Sequence, residues 1–126
     1  MQLINFSALA LFASSALAAD CFGNRQDGLE QFQNAYLDAR AKMCGNSECE
    51  FQQSCTTRGS QTVNGLIKLT VNVSLSRKNT GNKKGFKDCW EATGDIITQC
   101  VRGSKQMSGT WEANGQLYQM TAQYSG

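Results

Sequence analysis

A chain of 126 residues with net charge +2 and 40% hydrophobic residues is the size of one domain with a modest core. Near-neutrality removes any bulk electrostatic case for nucleic acid. The absence of histidine removes the commonest general base and metal ligand, and with it Ser-His-Asp, Cys-His and histidine-dependent nuclease chemistry.

Residues 1–18 carry no charged side chain; they hold the apolar run Leu9-Ala10-Leu11-Phe12-Ala13 and the small-x-small sequence Ala16-Leu17-Ala18. This reads as a secretion signal, too short to cross a bilayer, with a mature domain from 19 to 126. The expected location is extracellular. Six cysteines are then read as three disulfides. Proline is absent, so Gly and Asn must make the turns.

The first element is a helix from Asp27 to Met43. Leu29, Phe32, Tyr36, Ala39 and Met43 fall on one stripe. Asp27 and Glu30 have capping-box spacing, Gly45 suits a stop, and Asp38 and Lys42 are placed to pair. A strand is expected over Glu48 to Thr57, with Cys49, Phe51 and Cys55 sharing a face. A second strand, Ile67 to Leu75, alternates with its odd positions inward. A two-residue turn at Asn64-Gly65 would set polar Ser60 and Thr62 against Leu69 and Ile67, so a longer loop or bulge is expected.

A second helix runs from Asp88 to Arg102, with Cys89, Ala92, Thr93, Ile96, Ile97 and Cys100 on its apolar side. Asp88 and Glu91 again have capping-box spacing, Gly103 suits a stop, and Gly94 weakens the middle by about 1 kcal/mol against Ala. A closing hairpin turns at Asn114-Gly115, which sets Trp111 opposite Tyr118, and Met120, Ala122 and Tyr124 continue that face. The order α-β-β-α-β-β gives an α+β fold: an antiparallel sheet of about four strands packed by two helices.

Three cysteine pairs are disfavoured by reach. Cys89 and Cys100 are eleven residues apart on one helix. Cys49 and Cys55 would be about 20 Å apart on one extended strand. Cys21 and Cys44 flank the first helix. Every bridge then links two of these three groups. Neither a zinc site nor a cofactor is expected: there is no C-x-x-C pair, and the cysteine spacings are irregular. No loop is evidently braced by cysteine on both sides, so a proteinase-inhibitor loop is not expected.

Four constellations remain. Arg77, Lys78, Lys83, Lys84 and Lys87 gather with no acid among them, a candidate site for sulfated glycan, anionic lipid or nucleic acid through charge, although such a loop is ordinarily just solvated. Trp111 and Tyr118 are candidates to stack on a sugar, although a cross-strand aromatic pair is ordinarily core; Trp90 lies off its helix's apolar stripe. Asp88, Glu91 and Asp95 share a helix face and would suit acid–base hydrolysis or Ca²⁺; acids at a helix start ordinarily stabilise its dipole. Asn72-Val73-Ser74 is an N-glycosylation sequon whose strand parity points Asn72 outward.

Cys21-Phe22-Gly23, Asp88-Cys89-Trp90-Glu91-Ala92, Ile96-Ile97-Thr98-Gln99-Cys100, Gly109-Thr110-Trp111 and Asn114-Gly115-Gln116-Leu117-Tyr118 together resemble the small cysteine-rich proteins that fungi secrete. Among these are a glycan-binding family first known from a mushroom lectin-like protein, and the killer-toxin-like effectors. The resemblance lies mainly in the last 40 residues. It implies an α+β fold, no enzymatic activity, and a role at the interface with a host or competitor. The expected function is therefore a non-catalytic effector-like protein that binds an extracellular glycan or a host or competitor surface protein, with no transmembrane segment. The alternative is an antimicrobial or killer-toxin-like protein that acts on a rival cell surface through its basic loop.

Overall fold

A computed structural model describes residues 19–26, 28–63, 69–80 and 86–125. The signal sequence, Asp27, Asn64-Gly65, Ile67, Lys83 and Lys84 lie outside these. Among the described residues the fold is α+β, with a five-stranded antiparallel sheet, two α-helices and three disulfides. In chain order the elements are β1 (Asp20–Phe22), α1 (Glu30–Cys44), β2 (Cys55–Val63), β3 (Leu69–Asn79), α2 (Cys89–Ile96), a π-helical segment (Ile97–Gly103), β4 (Ser108–Ala113) and β5 (Gln116–Ser125). The sheet order is β1-β4-β5-β3-β2.

Strand β1 is the fifth strand, missed because three residues carry no periodicity. Pairing to β4 and the Cys21–Cys100 disulfide hold it in place. Gly109, opposite Cys21, permits the arrangement: a Cβ there would lie 2.7 Å from Cys100 Sγ and 3.0 Å from Asp20 O.

The expected helical stripe is the inner side of α1, and all five of its residues are buried. The helix begins at Glu30 with Leu29 before it and no side-chain cap. Helix α1 lies over β2 and β3 at close range because β2 offers a glycine. A Cβ on Gly59 would fall 2.1 Å from Ala35 O, while Thr57 Oγ1 donates to Ala39 O at 2.8 Å. The expected Asp38–Lys42 pair forms at 3.1 Å. At its other end α1 stops as expected near Gly45, although Asn46 takes the left-handed conformation, at φ 58°.

Helix α2 is tied to α1 by Cys44–Cys89. Arg40 crosses between them, donating to Thr93 Oγ1 at 3.0 Å and to Trp90 O at 2.7 Å, with its guanidinium over the Trp90 ring. This gives Gly94 its reason: a Cβ there would lie 3.1 Å from Arg40 Nη2. The single long helix expected from Asp88 to Arg102 widens after Ile96 into a π-helix. Asp88 precedes α2 without capping it. Its carboxylate instead accepts from Gln116 Nε2 at 2.8 Å and Asn114 Nδ2 at 3.2 Å, which fastens the last hairpin to α2.

That hairpin turns through Asn114 (φ 55°) and Gly115 (φ 78°), the two positive dihedrals of a type I′ turn, and sets Trp111 opposite Tyr118. Val63 pairs with Leu69, so β2 and β3 are joined by five residues, the longer loop expected.

The stretch from Glu48 to Ser54 is not the expected strand, and the exclusion of Cys49–Cys55 is wrong: these two cysteines are bonded, with Cα atoms 5.8 Å apart. The chain turns where extension had been assumed. Asn46 and Gln52 both take φ 58°, and Gln53 N donates to Glu50 O at 3.1 Å. The other two disfavoured pairs are indeed unbonded.

Candidate functional site

The sheet has two faces of opposite character, set by strand parity. Odd positions of β3 and even positions of β5 face the helices: Val71, Val73, Leu75, Tyr118 and Met120 are buried there. Trp111 joins them from β4, its ring 5.9 Å from that of Tyr118. Both rings are at most 1% exposed. The sugar-stacking role expected of Trp111 and Tyr118 is therefore corrected: they are core. Burial pushes the Tyr118 phenol up, and its hydroxyl donates to buried Gln116 Oε1.

Arg77 is corrected in the same way. Continuing the inward parity of β3, it is 3% exposed. Its Nε donates to Gln53 O at 2.9 Å, its Nη2 approaches Asn46 Oδ1 and Glu50 O, and its guanidinium stacks over Phe86. Burial lowers its pKa from the ordinary value. Arg77 thus holds the Cys49–Cys55 loop from beneath and is not a surface cation. Of the other basic residues, Lys78 and Lys87 are exposed and apart from this bracing; Lys83 and Lys84 lie outside the described residues.

The Cys49–Cys55 loop is braced on both sides by cysteine, contrary to expectation. At its tip Phe51 is 72% exposed. The hydrogen-bonded turn from Glu50 to Gln53 differs from the extended backbone that a proteinase cleft pairs with as an added strand.

The outer face carries the even positions of β2 and β3 and the odd positions of β5. Sheet register sets Ser60, Asn72 and Gln123 side by side in one row. Arg58, Ser74 and Thr121 form the next. These six side chains make a polar grid, about 10 Å across three strands and about 7 Å along them. They line a groove of about 400 Å³ bordered by Asp38 and Lys42, whose amine donates to Arg58 O at 2.9 Å on the sheet edge. Asn72 is half-buried within it. A second hollow of about 360 Å³, between the start of α1 and the π-helical segment, mixes Glu30, Arg102 and Lys105 with apolar Leu29 and Val101 and has no such array.

Of the three acids, Asp88 is engaged with the hairpin, Glu91 is exposed and Asp95 is half-buried, and no cluster able to hold a metal occurs among the described residues. All six cysteines are disulfide-bonded. No helix among the described residues is long and apolar enough to cross a membrane. Sequence reading missed the grid as a unit, although its signal was present: Asn72, Ser74 and Ser76 alternate with Val71, Val73 and Leu75. No protein-family model, curated protein or solved structure shows significant similarity to the chain.

Proposed function

We propose that this is a secreted, non-catalytic binding protein that takes an extracellular glycan on the outer face of its sheet. The observation that carries the reading is the six-residue polar grid in its groove. A sugar presents adjacent hydroxyls that both donate and accept. The grid answers with amides that do both, hydroxyls that do both, and one guanidinium that donates. The three strands fix these groups on a rigid scaffold, so little freedom is lost on binding. With no histidine and no free thiol, hydrolytic or nucleophilic chemistry has little to work with. Three disulfides fit an oxidising, extracellular setting. The likeness to secreted fungal cysteine-rich proteins points to a role at a host or competitor surface.

The test is a glycan array probed with the intact, oxidised protein produced without N-glycosylation. Arg58→Ala and Gln123→Ala should each abolish retention while Lys87→Ala leaves it unchanged. Retention of no glycan by the parent protein overturns the reading. The exposed Lys78 and Lys87 favour a second reading, contact with an anionic rival cell surface. It requires growth inhibition that falls when Lys78, Lys83, Lys84 and Lys87 are neutralised together.

A further inference from the structure

The sequon lies inside the groove. Asn72 and Ser74 are the centre of each row of the grid, flanked by Ser60 and Gln123 and by Arg58 and Thr121. Both line the groove with their four neighbours. A sugar on Asn72 therefore begins at the floor of the candidate binding face. The helices pack on the opposite face of the sheet, and among the described elements α1 meets the groove at its border, through Asp38 and Lys42.

We infer that the groove is the seat of the protein's own N-linked glycan, and that glycosylation of Asn72 closes the face to external ligand. The exclusion of ligand rests on the proposed glycan-binding function; the seating of the glycan does not. The modification joins Asn72 Nδ2 to C1 of the first N-acetylhexosamine of a lipid-pyrophosphate-linked oligosaccharide. The C1–O bond to the pyrophosphate breaks, the lipid pyrophosphate leaves with the electron pair, and the amide loses one proton to solvent. The attached ring starts within the reach of the same amides and hydroxyls that would hold a free sugar. Attachment makes the contact intramolecular, so the tethered sugar prevails over a dissolved one of similar affinity. Arg58, exposed at the β2 edge of the grid, is the side chain such a glycan would shield.

The experiment compares full-length protein secreted by a eukaryotic host with the same chain from a host that does not N-glycosylate, both carrying the three disulfides. Intact mass, read before and after endoglycosidase, should show a glycan only on the first. Phenylglyoxal modification, followed by peptide mass, should be slowed severalfold at Arg58 in the glycoprotein and unchanged at exposed Arg102. On a glycan array only the unmodified form should be retained. No mass difference, or a mass difference with Arg58 equally reactive in both forms, overturns the seating of the glycan. Equal retention of both forms overturns the exclusion of ligand. Retention of neither overturns the proposed function, and Arg58 protection still decides the seat.

Discussion

The inner and outer faces of the sheet are built from the same strands and differ in one respect, the parity of the residue. On β3, Val71, Val73, Leu75 and Arg77 turn inward and are buried, while Asn72, Ser74 and Ser76 turn outward and remain partly open. The inner face is where the free energy of folding is concentrated. The outer face is polar throughout its centre, contributes little to the core, and is free to be shaped by recognition. Residue type alone misleads about which is which: the aromatic pair and the arginine that look like binding groups in the sequence are interior, and plain Ser, Thr, Asn and Gln form the groove.

The sharpest test of this division pairs one substitution from each face. Trp111→Ala removes a fully buried indole and should lower stability by about 3–5 kcal/mol. Thr121→Ala, on the outer grid, should stay within about 0.5 kcal/mol. Denaturant unfolding measures both. A cost of several kcal/mol at Thr121 would break the comparison.

Gly59→Ala tests how closely the inner face is approached. The added carbon meets backbone, Ala35 O, so α1 must move away from β2 as a unit. The expected loss is about 3 kcal/mol, near the upper end for overpacking. Near-UV circular dichroism should also change as Tyr36 shifts in the core. An unchanged midpoint would mean that α1 sits more loosely on β2 than the geometry says.

Arg77→Lys tests the most unusual member of the inner face. A lysine keeps the charge but loses the planar fork that reaches two carbonyls and the Phe86 ring together. The expected cost is about 2 kcal/mol, from acceptors left unpaired. Proteolysis should begin within the Cys49–Cys55 loop. If the loop stays equally resistant, the disulfide alone holds it.

The helical stripe of α1, the inward positions of β3 and the Asn114-Gly115 hairpin were legible because each follows a repeating pattern or a turn with one dominant solution. Arg77 was legible in principle, since it continues the parity of Leu75, but its charge argued louder than its position. The Cys49–Cys55 loop was not legible. Cys49, Phe51 and Cys55 mimic a strand, and nothing local announces that Asn46 and Gln52 take left-handed conformations. Those depend on contacts from distant residues: Arg77 on the loop carbonyls and Phe86 N on Gln52 Oε1. The π-helical widening after Ile96 likewise has no local signature in Ile97–Gly103, a segment tied to β1 through the Cys21–Cys100 disulfide. The grid lay hidden for a related reason, since its rows exist only once β2, β3 and β5 are in register.

Asp95 marks the boundary between buried and open, and its titration gives the smallest of the expected effects. The Trp111 indole N–H is buried without a hydrogen bond of normal geometry, yet it is near enough to pull the Asp95 carboxyl down somewhat. Burial acts the other way and dominates, so the Asp95 pKa is raised above its ordinary 3.8. The folded state then holds this proton more tightly than the unfolded chain. Its stability is complete below that ordinary value and falls as pH rises through the interval above it. Asp95→Asn removes the titration. The variant should gain on the parent protein between pH 3 and pH 7, by less than about 1 kcal/mol because the carboxylate is only half-buried and partly screened. Urea unfolding at the two pH values reads the difference. A gain of the opposite sign would mean that the indole hydrogen bond outweighs burial. The edge of the inner face would then be more polar, and more like the outer face, than its packing indicates.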